Sequence, residues 1–427
     1  MHSPFSPIKV IAIDLKNRLT DLEPLADYET AQALVRSDGE PLGYATLPAQ
    51  HLQNADALMN EAILARYSAV IAHRLIGGDR SSMAAAWSAV HNLVDSQIAI
   101  QNKSIISVTV AICTRDRAVD LARCLDSIRA LDYPVLEVLV VDNAPSSDAT
   151  EQLVRSTYPD VRYVCELRPG LNWARNRAIE EARGDIIAYT DDDVVVDAKW
   201  INALARIFSE NREVMAVTGL VAPFELETEA QVLFEKYGGF GRGFKRQWYG
   251  IDPQSNTRVA SLYAGAGMFG TGANMAYRRN VFKQIGNFDP ALDVGTVTNG
   301  GGDLEMFFRI LKAGHTLVYE PSAIVYHRHR RDYAQLRTQI TNNGIGLYAF
   351  LLRSALAYPE ERLAFLKFAI WWLWWWNLRR LLISFKDPER FPRALILAEL
   401  RGSFSGLLRY RKSKRNARKI AQSFRPA

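Results

Sequence analysis

From Ser107 the chain alternates short continuous apolar runs with stretches whose apolar residues recur at three- and four-residue spacing. Val108 to Ile112, Leu136 to Val141, Val161 to Cys165 and Ile186 to Thr190 read as strands. Val119 to Arg129, Asp148 to Ser156 and Asn172 to Arg183 read as helices, the last ended by Gly184. Apolar runs of strand length between amphipathic helices predict successive β-α units and a mostly parallel sheet buried on both faces. Such sheets bind ligands outside the carboxyl ends of their strands, near the point where strand order reverses. The predicted ends carry Thr114-Arg115-Asp116-Arg117, Asp142-Asn143 and Asp191-Asp192-Asp193, so polar groups gather on one rim.

Before this region the pattern is different. Tyr28 to Val35 and Leu42 to Leu47 predict two strands joined through Ser37-Asp38-Gly39-Glu40, where Asp-Gly favours a hairpin turn. Helical spacing follows at Ala55 to Ile76 and Ser82 to Val94. After the α/β region, the chain from Ile345 turns helical and apolar and reaches Ala364 to Trp376, which holds five tryptophans. These shifts predict three parts: an N-terminal accessory α+β unit at 1–103, a catalytic unit at 104–335 and a helical region at 336–427. A length of 427 residues and a hydrophobic content of 48% suit two or three packed units.

Three adjacent carboxylates at a strand end repel one another unless a cation joins them. Either they hold a hard divalent ion, Mn²⁺ or Mg²⁺, through oxygen ligands, or they form a solvated turn ahead of the helix from Lys199.

The ordered series of motifs resembles the inverting glycosyltransferases of family 2, which have the A-type nucleotide-sugar-binding fold. The likeness runs through Val108 to Arg115, Val140 to Asn143, Ala174-Arg175-Asn176, Gly184-Asp185-Ile186 and Thr190 to Asp193. It resumes at Gly272 to Ala276, Gly286 to Asp289 and Gly302 to Glu305. The resemblance implies metal-dependent transfer of a sugar from a nucleotide diphosphate to a hydroxyl of a saccharide or lipid-linked saccharide. It implies roles for individual residues as well: Asp142 for the nucleobase, Thr114 and Arg115 for base or ribose, and Arg175 for the nucleotide. Asp191 and Asp192 fall on the donor side, while Asp191, Asp193 and His327 would hold the metal. Asp303 falls at the aspartate of the family's Glu-Asp motif and is the expected general base. Gly302 stands where the family has glutamate, and this departure leaves Glu305 as a second catalytic candidate. Gly272 and Asn274 are expected beside the transferred sugar or the acceptor.

Gly265 to Gly270 satisfies a dinucleotide glycine spacing but follows no first β-α-β strand, so it carries no weight as a cofactor site. Gly238 to Gly243 with Trp248-Tyr249 forms either a lid with aromatic faces or ordinary turn and core. Asp142 suits an N–H-bearing base edge, which makes a uridine diphosphate sugar the first donor to expect; guanosine and thymidine nucleotides share that edge. A nucleotidyltransferase of related fold would want a glycine-rich basic loop after the first strand, and Thr114 to Arg117 has no glycine. A noncatalytic saccharide-binding or scaffold protein would not need a carboxylate triplet beside a separate Asp303. A hydrolase with two carboxylates would act without nucleotide or metal.

Cys113, Cys124 and Cys165 are few and widely spaced, which suits a reducing compartment. Met1 to Ile13 lacks the pattern of a secretory signal. Lys367 and Arg379-Arg380 keep the tryptophan-rich run below the roughly 20 residues of a spanning helix, so it is expected to lie in a membrane surface or pack on the protein. The net charge of +6 divides into +8 over Arg409 to Ala427 and −2 elsewhere. A basic tail beside tryptophans predicts an anionic membrane partner at the cytoplasmic face, peripheral or monotopic, and no nucleic acid is expected.

Overall fold

The computed structural model describes residues 5–14, 28–37, 39–48, 105–134, 136–251, 258–259, 266–387 and 391–424. The helices expected at Ala55 to Ile76 and Ser82 to Val94 lie outside the described residues. By Cα proximity the chain forms two compact units, one of residues 1–104, 225–229 and 243–245, the other of the remainder.

The first unit contains a three-stranded sheet in the order β1 (Ile8–Asp14), β2 (Thr30–Ser37), β3 (Glu40–Pro48). The expected hairpin is β2–β3, and Gly39 between its strands sits at φ +83°, a conformation glycine adopts without a Cβ penalty. Strand β1 was not foreseen. It pairs parallel to β2, so its apolar run is a sheet strand.

In the second unit the predicted alternation is realised as β4 (Val108–Thr114), α1 (Ala118–Arg129), β5 (Leu136–Asn143), α2 (Ala149–Thr157), β6 (Arg162–Glu166), α3 (Leu171–Glu181) and β7 (Ile186–Asp191). There follow β8 (Val194–Val196), α4 (Trp200–Glu210), β9 (Val214–Pro223), α5 (Glu229–Tyr237), β10 (Gln247–Ile251) and β11 (Arg258–Val259). The α/β region closes with β12 (Asn274–Arg278), α6 (Val281–Ile285), α7 (Gly302–Lys312) and β13 (Thr316–His327). The ten-stranded sheet runs β11-β10-β13-β9-β12-β7-β4-β5-β6, with β8 joined to β13. Strands β7, β4, β5 and β6 are parallel, whereas β12 runs antiparallel to both β7 and β9, so the sheet is mixed beyond β7. The chain proceeds from β4 to β5 and β6 on one side and returns to β7 on the other, which puts the switch point at the ends of β4 and β7.

Alternate residues of one strand serve two cores. On β4, Val108, Val110 and Ile112 face the core built with α1, α2 and α4, while Ala111 faces the one built with α3, α6 and α7. This is the period-2 geometry of a pleated strand buried on both faces.

The C-terminal helices are α8 (Tyr333–Ala357), α9 (Arg362–Trp372), a π-helical turn at Leu373–Leu378, α10 (Arg379–Lys386) and α11 (Arg393–Ser423). Helices α8 and α11 meet backbone to backbone: a Cβ at Gly402 would stand 2.1 Å from the Thr341 carbonyl oxygen and one at Gly406 2.5 Å from that of Ile345. The basic segment expected as a tail is therefore the distal part of α11, and its Tyr410 is buried. No helix among the described residues is long and apolar enough to cross a membrane.

Candidate active site

The carboxyl ends of β4, β5 and β7 bring together Thr114, Asp142 and the aspartate triplet. Asp192 is buried; Thr114 Oγ1 donates to its Oδ2 at 2.7 Å and Arg117 Nη1 to its Oδ1 at 2.6 Å. Arg117 Nη2 also reaches Asp193 Oδ2 at 3.0 Å. A protein cation thus separates two of the three negative charges. It is Arg117, absent from the sequence-derived set, that does so, while Arg115 is half exposed and approaches Asp116 at 3.6 Å.

Strand β8 begins immediately after the triplet and pairs antiparallel with the end of β13, Val194 opposite His327. That register carries His327 Nε2 to 3.3 Å from Asp193 Oδ1. One ligand atom from each of Asp191, Asp193 and His327 lies within 4.8 Å of the others. Burial lifts the Asp191 carboxyl above its ordinary range and the charge of Asp193 adds to the effect. For Asp193, burial acts the same way but His327, Arg117 and Arg330 outweigh it and hold the group well below the ordinary carboxylate range. Asp192 is pushed up to about 7, burial prevailing over Arg117. Two carboxylates and an imidazole nitrogen at this spacing form a donor set suited to a divalent cation.

Further along the rim, Asp142 is fully buried and Tyr163 donates to its Oδ2 at 3.0 Å. Its Oδ1 is sealed from solvent without a well-formed hydrogen bond, although the Thr150 hydroxyl also acts on this carboxylate. Burial raises the Asp142 pKa. An acceptor left in this condition costs free energy unless a ligand donor reaches it.

Arg175 is buried, not a solvated surface group. Its Nη1 donates to Asp293 Oδ2 at 2.5 Å and to Asn172 Oδ1 at 3.2 Å. A Cβ at Gly272 would stand 2.6 Å from Arg175 Nη2 and 3.5 Å from Asp303 Oδ2, so a side chain there would have to displace the guanidinium. Asp303 lies in the first turn of α7, where its Oδ2 accepts from Gly272 N and its Oδ1 from Leu304 N, both at 2.9 Å. Burial and the neighbouring Asp293 charge raise it to about 6, against the lowering effect of Arg175. The helix is capped by Gly301 at φ +90°, so Asp303 is not its N-cap.

Two sequence candidates stand elsewhere. Glu305 is fully buried beneath the rim, held by Arg309 at 2.7 Å and Arg353 at 2.6 Å, which removes it from the acid–base chemistry expected as its alternative role. Asn274, expected at the acceptor side, ties β9, β12 and β13 together inside the sheet. Its Nδ2 donates to the carbonyls of Leu220 and Ala323, and its Oδ1 accepts from Trp200 Nε1. Both amide N–H groups are used and the side chain is fully buried. Tyr249, considered for a lid, is buried on β10 with its ring 4.7 Å from that of Phe269.

Four non-glycine residues have positive φ among the described residues: Asp116, Ala144, Asp293 and Asn299. The first two follow β4 and β5, and the others lie in the loop before α7. Backbone strain of this kind concentrates where surrounding structure enforces a functional geometry.

Residues 109–286 match the model of the glycosyl transferase family 2. The chain is 25% identical over 239 residues to the glucosyl-dolichyl phosphate glucuronosyltransferase of Haloferax volcanii, covering 52% of this chain and 69% of that protein. It is 28% identical over 285 residues to polypeptide N-acetylgalactosaminyltransferase 5 of Caenorhabditis elegans, spanning 61% of this chain but only 44% of that enzyme. Among solved structures, a mannosyltransferase from Pyrobaculum calidifontis, in complex with GDP-Man and Mn²⁺, aligns with a TM-score of 0.44 at 20% identity over 78% of this chain and 92% of that one. The chain thus matches glycosyl transferase family 2 over residues 109–286, its relatives are glycosyltransferases, and the protein is an enzyme of that class.

Proposed function

We propose that the protein transfers a sugar, with inversion, from a nucleoside diphosphate donor to a hydroxyl of a saccharide or lipid-linked saccharide. The observation that carries this reading is the convergence of Asp191, Asp193 and His327 within 4.8 Å on the rim that also holds Asp142 and Asp303. Those three residues would hold Mn²⁺ or Mg²⁺, which when bound supplies charge stabilisation to the departing diphosphate. Oδ1 of Asp142, which lacks a well-formed hydrogen bond, would take an N–H of the base edge, and a uridine diphosphate sugar remains the first donor to test. Asp303 accepts the acceptor's proton as its oxygen forms the new bond to the anomeric carbon and the bond to the diphosphate breaks. A carboxyl raised to about 6 is ionised at neutral pH and still basic enough for that work. One displacement on the face opposite the leaving group inverts the anomeric centre.

The reading extends to a membrane surface, with residues 336–427 as the docking region. Leu363, Leu366, Ile370, Trp371, Trp374 and Trp375 are exposed along α9 and the π turn, as are Leu382 and Phe385 on α10. Aromatic and aliphatic side chains so placed suit the boundary between headgroups and acyl chains, and the cations of α11 suit anionic lipid. The three cysteines are free, which supports a reducing compartment.

The test is a panel of nucleotide sugars followed by thermal shift with and without Mn²⁺, then the anomeric configuration of the product by NMR. Metal-dependent stabilisation by one nucleotide class and an inverted product are expected. Binding indifferent to metal, or a retained configuration, overturns the corresponding part.

A further inference from the structure

The loop before α7 contributes a second carboxylate to the neighbourhood of Asp303. Asp293 is 6% exposed and holds φ +77°, a conformation that costs a non-glycine side chain energy. It is fixed from several directions. Its amide donates to the Gly300 carbonyl at 3.1 Å, its carbonyl accepts from Thr296 Oγ1 at 2.7 Å, and its Oδ1 accepts from Val294 N at 2.9 Å. Only Oδ2 is left to act outside the loop, and it takes the Arg175 guanidinium.

The start of α7 is built around that carboxylate. A Cβ at Gly302 would stand 2.6 Å from Asp293 Oδ2 and 2.4 Å from Asn172 Nδ2. A side chain at 302 would therefore have to displace the Asp293 carboxylate or the Asn172 amide, and the next residue is Asp303. Arg175 Nη2 lies against Gly272, whose amide donates to Asp303 Oδ2. Two carboxylates thus share the surroundings of one buried guanidinium.

We infer that Asp293 is a positioning residue for the transfer reaction: its carboxylate fixes Arg175 against Gly272 and thereby sets the charge and placement of Asp303. This rests on Asp303 being the base. Asp293 contributes a negative charge that raises Asp303, while its hold on Arg175 keeps that guanidinium from collapsing onto the base. Other groups acting on this site electrostatically are Asp191 and Tyr189 from β7, Cys113 from β4, Tyr277 from β12 and the buried Arg242.

The test is Asp293→Asn, which preserves shape and tolerates positive φ, with Asp293→Gly as a second variant that suits the backbone. The titration of Asp303 is read by ¹³C-carboxyl NMR, its resonance assigned through Asp303→Asn. The acid limb of kcat against pH is read with whichever nucleotide sugar the panel identifies. Both variants are expected to move the titration and the acid limb to lower pH. A purely structural role lowers the yield of folded protein and leaves both where they were, and that result overturns the proposal. Should the panel identify no donor, the functional reading fails by itself, while the NMR titration still decides whether Asp293 governs Asp303.

Discussion

His327 and His329 face each other through their Nδ1 atoms, 3.3 Å apart, at the end of β13. On the far side, His329 Nε2 lies 2.8 Å from Glu235 Oε1. Burial keeps His329 below its ordinary pKa, so it carries one proton, and an ionised carboxylate accepts only. That proton belongs on Nε2, His329 Nδ1 is then the acceptor, and His327 Nδ1 is the donor. That order points His327 Nε2 at Asp193, 3.3 Å away; burial opposes a charge on His327 but Asp193 prevails and raises it, so without a metal Nε2 donates to the carboxylate, and a bound cation would take that proton's place.

Glu235→Leu removes the terminal acceptor and frees His329 to reverse. Mn²⁺ affinity, measured with the metal alone by electron paramagnetic resonance, is expected to fall by roughly 10- to 100-fold, the usual cost of losing the group that orients a ligating histidine. Unchanged affinity would show that something other than this chain orients His327.

Asp193→Ala takes away the carboxylate that faces His327, Arg117 and Arg330 together. Stabilisation of the protein by nucleoside diphosphate is expected to lose its dependence on Mn²⁺, with circular dichroism unchanged. Equal metal dependence in the variant and the parent would remove Asp193 from the site.

Asp303→Asn is nearly isosteric and keeps an acceptor for Gly272 N. Turnover is expected to drop by roughly 10²- to 10⁴-fold, about 3 to 5 kcal/mol in the barrier, with donor affinity little changed. In the parent enzyme the base must be ionised. Its pKa is raised to about 6, so kcat should fall as pH drops through 6 and level off above it. A flat profile between pH 5 and 8 would exclude Asp303 as the base.

The strand and helix sequence from Val108 to Asp191 was legible because each element carries its own period and each turn its own polar residues. Local pattern shows far less of which polar residues meet. Arg117 stands two positions after Arg115, and only the fold decides which reaches Asp192. Asp293 sits in Leu292-Asp293-Val294-Gly295 and reads as an ordinary turn aspartate; its partner Arg175 is 118 residues away. Asn274 looked functional because it falls within the family-like run Gly272 to Ala276, and Glu305 because it stands two residues after Asp303 while Gly302 occupies the position where the family has glutamate. A one-residue step along a strand or two along a helix turns a side chain from the rim into the core.

Asn274 offers a stability test that separates core from site. Asn274→Ala leaves the Leu220 and Ala323 carbonyls and the Trp200 indole N–H without partners in a buried place. At roughly 1–3 kcal/mol for each orphaned group, the loss should be about 3 kcal/mol or more. Denaturant unfolding measures it. A variant that unfolds like the parent but binds substrate poorly would return Asn274 to the site.

Membrane attachment divides into two terms that respond differently to salt. Arg409, Arg411, Lys412, Lys414, Arg415, Arg418 and Lys419 are all exposed on α11. Each contributes on the order of 1 kcal/mol near an anionic surface, and salt screens that contribution. The exposed tryptophans contribute through buried apolar area, which salt barely affects. Truncation cannot separate the two, because the distal helix also carries Tyr410, which donates to Asp289 at 3.1 Å. Substitution can. Changing Lys412, Lys414, Arg415 and Lys419 to glutamine should remove most of the salt dependence of vesicle cosedimentation while leaving a residual attachment. Changing Trp371, Trp374 and Trp375 to serine should abolish that residue of binding and its persistence at high salt. If the parent protein ignores anionic and neutral vesicles alike, the exposed apolar faces of α9 and α10 serve another surface and the docking reading is wrong.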